Sequence, residues 1–138
     1  MSRDANIAAQ EKLAGEINAG NTAVVHEVFA ENVVDHDPAP DQGPGPEGFH
    51  DFFKTLTSAF PDAHIEPEQM VADDDNVAVA YTLTGTHEGE FHGVQPTGKK
   101  IEVRGVQIAR FENAMIVERW GSTDELGILQ QLDAAPTA

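Results

Sequence analysis

Apolar positions recur at two different spacings along this chain, and the change comes near residue 60. In residues 3–18, Ile7, Leu13, Ala14 and Ile17 fall at helical spacing, and Ala19-Gly20 stops the run. Asn21 or Thr22 can cap a second helix that carries Val24, Val25, Val28 and Phe29. Residues 32–36 read as a short extended piece. The stretch Asp37 to Pro46, DPAPDQGPGP, holds four prolines and two glycines in ten residues, which neither a helix nor a central strand tolerates. Pro46 suits a first helical turn, and the helix it opens runs to about Ala59 with Phe49, Phe52, Phe53 and Leu56 on one side. Alternation then replaces the helical period in four runs, about 63–72, 76–88, 99–111 and 115–123. The first of these contains Pro67, which predicts an edge strand or a bulge. Asp124 caps a closing helix to about Leu132. Helices followed by long alternating strands predict an α+β fold, with helices packed on one face of a strongly bent antiparallel sheet.

The strand runs also say which side chains face inward. In 99–111 the odd positions are Ile101, Val103, Gly105, Gln107, Ala109 and Phe111, and Gln107 is the polar member of that face. In 76–88 the odd positions are Val77, Val79, Tyr81, Leu83, Gly85 and His87, with Tyr81 and His87 polar. In 115–123 the alternation does not decide whether Arg119 or Trp120 points in.

A length of 138 residues with 40% hydrophobic content predicts one domain, with an ordered core over about 5–132 and a tail at 133–138. No apolar run approaches the ~20 residues of a membrane helix, and the polar N-terminus has no signal core. The absence of cysteine excludes disulfides and thiolate metal sites, so a cytoplasmic location is expected. The net charge of −16, from eight basic and 24 acidic residues, changes the picture more. It repels nucleic acid and anionic membrane, so neither is expected as a partner. It fits either an acidic soluble enzyme or a chain from a halophilic host.

Three segments carry a family likeness. They are Val34-Asp35-His36-Asp37-Pro38 with Gly45-Pro46-Glu47-Gly48-Phe49; Thr82 to Phe91 with Gly93 and Pro96-Thr97-Gly98-Lys99; and Ile116-Val117-Glu118-Arg119-Trp120 with Asp124 to Gly127 and Leu129 to Leu132. Together they resemble the SnoaL-like polyketide cyclases, often labelled ester cyclases, of the nuclear-transport-factor-2-like superfamily. The resemblance implies a cone-shaped α+β barrel whose open end is a pocket for a small apolar or amphipathic molecule. No cofactor is expected. Two departures stand out. Where the aldol-condensing cyclases and ketosteroid isomerases have a His or Asp, this chain has Gln107. Where the residue after the final-strand Trp resembles the cyclases' acid/base aspartate, this chain has Gly121. Their loss argues against polyketide cyclisation by that route.

The remaining candidates each have two readings. Gln107 is a ligand-orienting oxyanion donor, or an amide satisfied by backbone or water. His36 is the most natural remaining acid/base group, or it holds the proline-rich loop, with Asp35 and Asp37 orienting it or holding that loop. His87 faces the pocket mouth or pairs with Glu88 and Glu90. Arg119 binds a ligand oxygen or pairs with Glu118 or Glu102 at the surface, and Trp120 is a pocket wall or core. Tyr81 is a binding residue on the inward face. No metal motif appears among His36, Asp35, Asp37, His87 and His92, and no metal is expected. The function expected is lyase- or isomerase-like acid/base chemistry on a small carbonyl compound or ester, and the alternative is a non-catalytic binding protein of the same fold. Val106 and Ile108, apolar on the outward parity, predict a homodimer through the outer sheet face.

Overall fold

The structure is a computed structural model that describes residues 2–134. From position 135 onward, the expected tail lies outside the described residues. Helix α1 spans Arg3–Asn18 and is capped by the Ser2 hydroxyl, which accepts from the Ala5 N–H at 3.1 Å. Its buried face is Asn6, Gln10, Leu13 and Ile17, so two polar residues share the inner side with the apolar ones. A single 3-10 turn, Thr22–Val24, leads into the short α2, Val25–Val28. The chain then extends directly into β1, Phe29–Asp35. β-Branched valines and the aromatic at 29 suit extended backbone, and they end the predicted second helix earlier than its apolar positions suggest.

Helix α3, Gly45–Ala59, has Pro46 in its first turn and buries Phe49, Phe53 and Leu56. Phe49 stacks on Phe29 with ring centroids 4.0 Å apart, which fixes α3 against β1. Full burial of such rings stabilises the fold by about 1.5–3 kcal/mol each. Four strands follow: β2 (His64–Ala72), β3 (Asn76–Thr86), β4 (Lys100–Glu112) and β5 (Met115–Thr123). Helix α4, Glu125–Gln131, closes the described chain, and its cap Asp124 accepts from the Gly127 N–H at 2.8 Å.

The sheet order is β1-β5-β4-β3-β2. β2 to β5 form the expected antiparallel meander, and β1 joins it parallel to β5, which makes the sheet mixed. The sheet is not closed. β2 is an edge strand, and its pairing shifts between Pro67 and Gln69, as a proline in a strand requires. Burial alternates along β4 as predicted, with Ile101, Val103, Gly105, Ala109 and Phe111 inside and Val106 and Ile108 outside. β5 does not alternate simply. Its register slips where Phe111 pairs with Ile116 and Arg110 with Glu118, leaving Ile116 and Val117 both buried. This bulge reverses the parity, so Arg119 faces in and Trp120 faces out.

Candidate functional site

The inner face of the sheet, α1 and α3 enclose a cavity of about 410 Å³. Leu13 and Ile17 of α1, Phe52, Phe53 and Leu56 of α3, and Met70, Val79 and Leu83 of the sheet supply its apolar walls. Phe91 and His92 reach it from the β3–β4 loop, and Ile128 from α4. An outer lobe of about 570 Å³ adjoins it and contains Asp35, Asp37, Gly121, Ser122 and Asp124. Both spaces are lined by Gln107, Arg119, Thr123, Phe52 and Phe53, so these residues stand at the junction.

Arg119 is the centre of the polar wall. Its side chain is 13% exposed, and that of its partner Asp35 is 7% exposed, with Nη1 to Oδ1 at 3.2 Å. Nη1 also donates to the Asp37 carbonyl at 3.3 Å, and Nε donates to Gln107 Oε1 at 3.3 Å. Gln107 Nε2 in turn donates to Gln10 Oε1 at 3.4 Å, which carries the chain of contacts across to α1. Asp35 is saturated, because Oδ1 also accepts from the Asp37 N–H at 3.0 Å and Oδ2 from Gln42 Nε2 at 3.0 Å. Nη2 of Arg119 meets no acceptor among the described residues. A Cβ at Gly121 would lie 2.7 Å from that nitrogen, so the glycine leaves this edge of the guanidinium uncovered.

Gly121 has a second effect. Its N–H donates to Asp37 Oδ2 at 2.9 Å. A carboxylate from the β1 end therefore stands beside the position where the family likeness calls for an aspartate. Nearby, Tyr81 lies over its cross-strand partner Gly105, where any Cβ would come within 2.4 Å of the phenol. That clearance lets the Tyr81 hydroxyl pair with Thr123 Oγ1.

Of the residues singled out from the sequence, Tyr81, Gln107 and Arg119 line the cavity. His36, Trp120 and His87 do not. In β1, Val33 is buried and Val34 exposed, so Asp35 follows the inner parity and His36 the outer. The expectation that His36 moves the substrate proton therefore meets a geometric obstacle. Its ring stacks on Trp120 at 4.7 Å and 9° on the outer face, with Nε2 3.5 Å from Glu118. Trp120 shares that outer face rather than walling the pocket. His87 is fully buried beneath the β3–β4 loop. Its Nδ1 accepts from the Thr97 N–H at 3.1 Å, and neither the pocket mouth nor Glu88 and Glu90 engage it. It ties down the loop that presents Phe91 and His92.

Sequence reasoning missed Gln10, Gln42, Thr123, His92 and Glu125 as cavity residues. His92 and Glu125 stand together at the mouth, 3.9 Å apart. Gln10 carried a signal, since it lies three and seven positions before Leu13 and Ile17 on one helical face. Elsewhere, Glu47, His50 and Asp51 of α3 bring three metal-ligand atoms within 4.8 Å of one another. Glu47 is exposed and lies 3.5 Å from His26 and 3.3 Å from His50, whose Nδ1 is buried and makes no hydrogen bond among the described residues.

A bent open sheet that wraps helices around a pocket defines a class, the pocket proteins of the nuclear-transport-factor-2-like fold. Solved structures agree. AclR from Streptomyces galilaeus, provisionally described as a hydroxylase, is 27% identical over 98% of this chain and 100% of its own, with a TM-score of 0.86. IdmH from Streptomyces antibioticus, provisionally described as a polyketide cyclase, is 29% identical over 93% of this chain and 98% of its own, with a TM-score of 0.80. TsrD from Streptomyces laurentii, at 21% identity, 97% and 98% coverage and a TM-score of 0.88, shares the fold. Comparison with curated proteins gives no match. The family model for SnoaL-like polyketide cyclases matches residues 7–132, and the chain belongs to that family.

Proposed function

We propose that this protein binds a small, largely apolar carbonyl compound or ester and carries out lyase- or isomerase-like acid/base chemistry on it. The observation that carries this reading is the uncommitted Nη2 of Arg119, a residue that lines both the apolar cavity and its outer lobe. Asp35 balances the charge of that guanidinium, and Gln107 orients its plane. A free, fixed N–H edge beside apolar walls is a strong partner for oxygen that gains negative charge during reaction. The apolar walls hold the body of the molecule, and a few placed polar groups set its orientation. Two related structures are provisionally described as a hydroxylase and a cyclase, which is consistent with chemistry in this pocket.

Non-catalytic binding is the second reading. It is favoured by the saturation of Asp35 and by the position of His36 on the outer face. Gln107→Leu separates the two. It removes a polar group at the oxygen site while leaving a packing surface. For a catalytic pocket, transition-state stabilisation falls by about 2–4 kcal/mol, with a much smaller change in ground-state binding. For a binding protein, ligand affinity alone falls by about 1–2 kcal/mol. Native mass spectrometry of the purified protein, followed by kinetics and calorimetry on any molecule carried through, supplies the ligand for this comparison. A variant that changes neither quantity for such a ligand would refute the pocket assignment.

The working unit in this proposal is a homodimer in the cytoplasm. Val71, Ala78, Ile108 and Trp120 follow one another across four strands on the outer face, through the registered pairs Val71↔Ala78, Ala78↔Ile108 and Ile108↔Trp120. Val71 is 62% exposed and Ile108 42%, and a second copy of the same apolar row is the natural cover. The lack of cysteine fits a reducing compartment.

A further inference from the structure

We propose that Gln10 of α1 is a specificity-determining residue that donates a hydrogen bond to a second oxygen of the ligand. The molecule this pocket takes is then an apolar skeleton with two acceptor oxygens, a diketone or keto ester in preference to a simple ketone. The proposal rests on the reading of the cavity as a carbonyl-binding pocket.

Hydrogen-bond direction along the polar wall is fixed at one end. A guanidinium has only donors, so the atom of Gln107 that meets Arg119 Nε at 3.3 Å must be the carbonyl oxygen. The Gln107 NH₂ group then faces α1, where it donates to Gln10 Oε1 at 3.4 Å. Flipping Gln107 would set its NH₂ against Arg119, and flipping Gln10 would set one NH₂ against the other. Gln10 is thereby left with its own NH₂ unused, and Nε2 meets no acceptor among the described residues. The residue is only 6% exposed, and it lines the inner cavity but not the outer lobe. Nε2 is not sealed in, in contrast to the orphaned Oδ1 of Asn6 one turn earlier on the same helix face, so the little surface it keeps opens on the cavity.

The setting makes this donor selective. Leu13 and Ile17 continue the face of α1 that carries Gln10, and Met70, Val79 and Leu83 line the cavity from the sheet, so these walls offer a ligand oxygen no partner. A carbonyl held at Arg119 Nη2 lies at the junction of the two lobes, and the second oxygen lies inward of it, at the α1 wall. The Gln107 amide stands between the two donors, which therefore serve separate oxygens. A donor that a bound ligand leaves unpaired in a desolvated site counts against that ligand. Gln10 thus favours a carbonyl or ether oxygen over a methylene at the same place.

The test compares the Kd of 2-decalone with those of decalin-1,6-dione, decalin-2,6-dione and decalin-2,7-dione, measured by proton NMR line broadening. The three diones place the second oxygen at three spacings. A second carbonyl makes the molecule more polar, so its burial weakens binding unless a donor meets it. Wild-type protein is expected to bind at least one dione about 5-fold or more tighter than 2-decalone. Gln10→Met keeps the length of the side chain and removes the amide; it is expected to abolish that preference while the Kd of 2-decalone stays within about 2-fold. Gln10→Glu, measured at pH 8, keeps an oxygen for Gln107 Nε2 and replaces the free donor by an acceptor. It is expected to lose the preference as well, and it decides the matter should circular dichroism show Gln10→Met misfolded. Preference for no dione in wild type overturns the proposal, as does a preference that survives in folded Gln10→Met. An equal loss for dione and 2-decalone in Gln10→Met makes the residue a structural part of the wall and also overturns it. Binding of 2-decalone that Gln107→Leu alters, without any preference for a dione, overturns the role of Gln10 alone and leaves the pocket reading standing. Absence of all binding overturns the two together.

Discussion

Burying a guanidinium costs several kcal/mol unless a charge and hydrogen-bond acceptors meet it. Asp35, the Asp37 carbonyl and Gln107 meet Arg119 on two of its three nitrogens. Removing Arg119 would strand Asp35 without its counter-charge, at about 3–5 kcal/mol. For that reason Gln107 is the cleaner probe of the site. His36 offers the opposite control. Its stacking on Trp120 and its contact with Glu118 belong to the outer face. His36→Ala should therefore leave ligand Kd and any turnover within about 2-fold while shifting the Trp120 fluorescence. A fall in turnover of about 10²-fold would return the acid/base role to this histidine.

At the scale of elements, the cavity depends on short ties between segments far apart in sequence. Asp62, in the turn after α3, accepts from the Thr86 N–H at 2.6 Å and from the Thr86 hydroxyl at 2.8 Å. These contacts pin the end of β3, where His87 and the loop bearing Phe91 and His92 begin. The Thr86 backbone N–H, then its hydroxyl, hold the Asp62 carboxyl below its ordinary value of 3.8. A carboxyl lowered on folding adds stability that is complete above the unfolded value and is lost as pH falls through the folded one. The Asp62 contribution should therefore persist at neutral pH and disappear below about pH 4. Asp62→Asn should unfold at lower temperature than wild type at pH 7, and the two melting temperatures should converge as pH drops below 4. A gap that stays constant with pH would mean that charge plays no part. The parity of β5 is the other lesson at this scale. The bulge at Val117 turns Arg119 inward, and no count of apolar positions in MIVERWGST contains that slip.

For the whole molecule, charge and exposed apolar surface oppose each other. A net charge of −16 keeps copies apart at low salt. The Val71–Ala78–Ile108–Trp120 row draws them together. Sedimentation at tens of micromolar, the range in which modest interfaces assemble, should show a dimer that strengthens as salt screens the repulsion. Ile108→Glu should give a monomer with its pocket intact, because Ile108 lies on the side of β4 opposite Gln107. A wild-type monomer at those concentrations in 0.15 M salt, a strength at which repulsion is largely screened, would remove the dimer. No helix among the described residues is long and apolar enough to cross a membrane.

Local chemistry was enough to place most elements. Proline-rich residues 37–44 must be loop, Pro46 must open a helix, and the alternation in β3 and β4 must put Tyr81 and Gln107 inside. Each of these follows from a steric or solvation rule that acts within a few residues, so the sequence alone determines it. The polar wall is of another kind. Arg119, Asp35, Gln107 and Gln10 come from β5, β1, β4 and α1. They meet only because β1 pairs parallel to β5, with Asp35 opposite Arg119, and because a bulge reverses one strand's parity. Strand partnership and register depend on which surfaces bury together across the whole chain. Which histidine faces the pocket, and which carboxylate pairs with the arginine, were therefore decided by the tertiary structure.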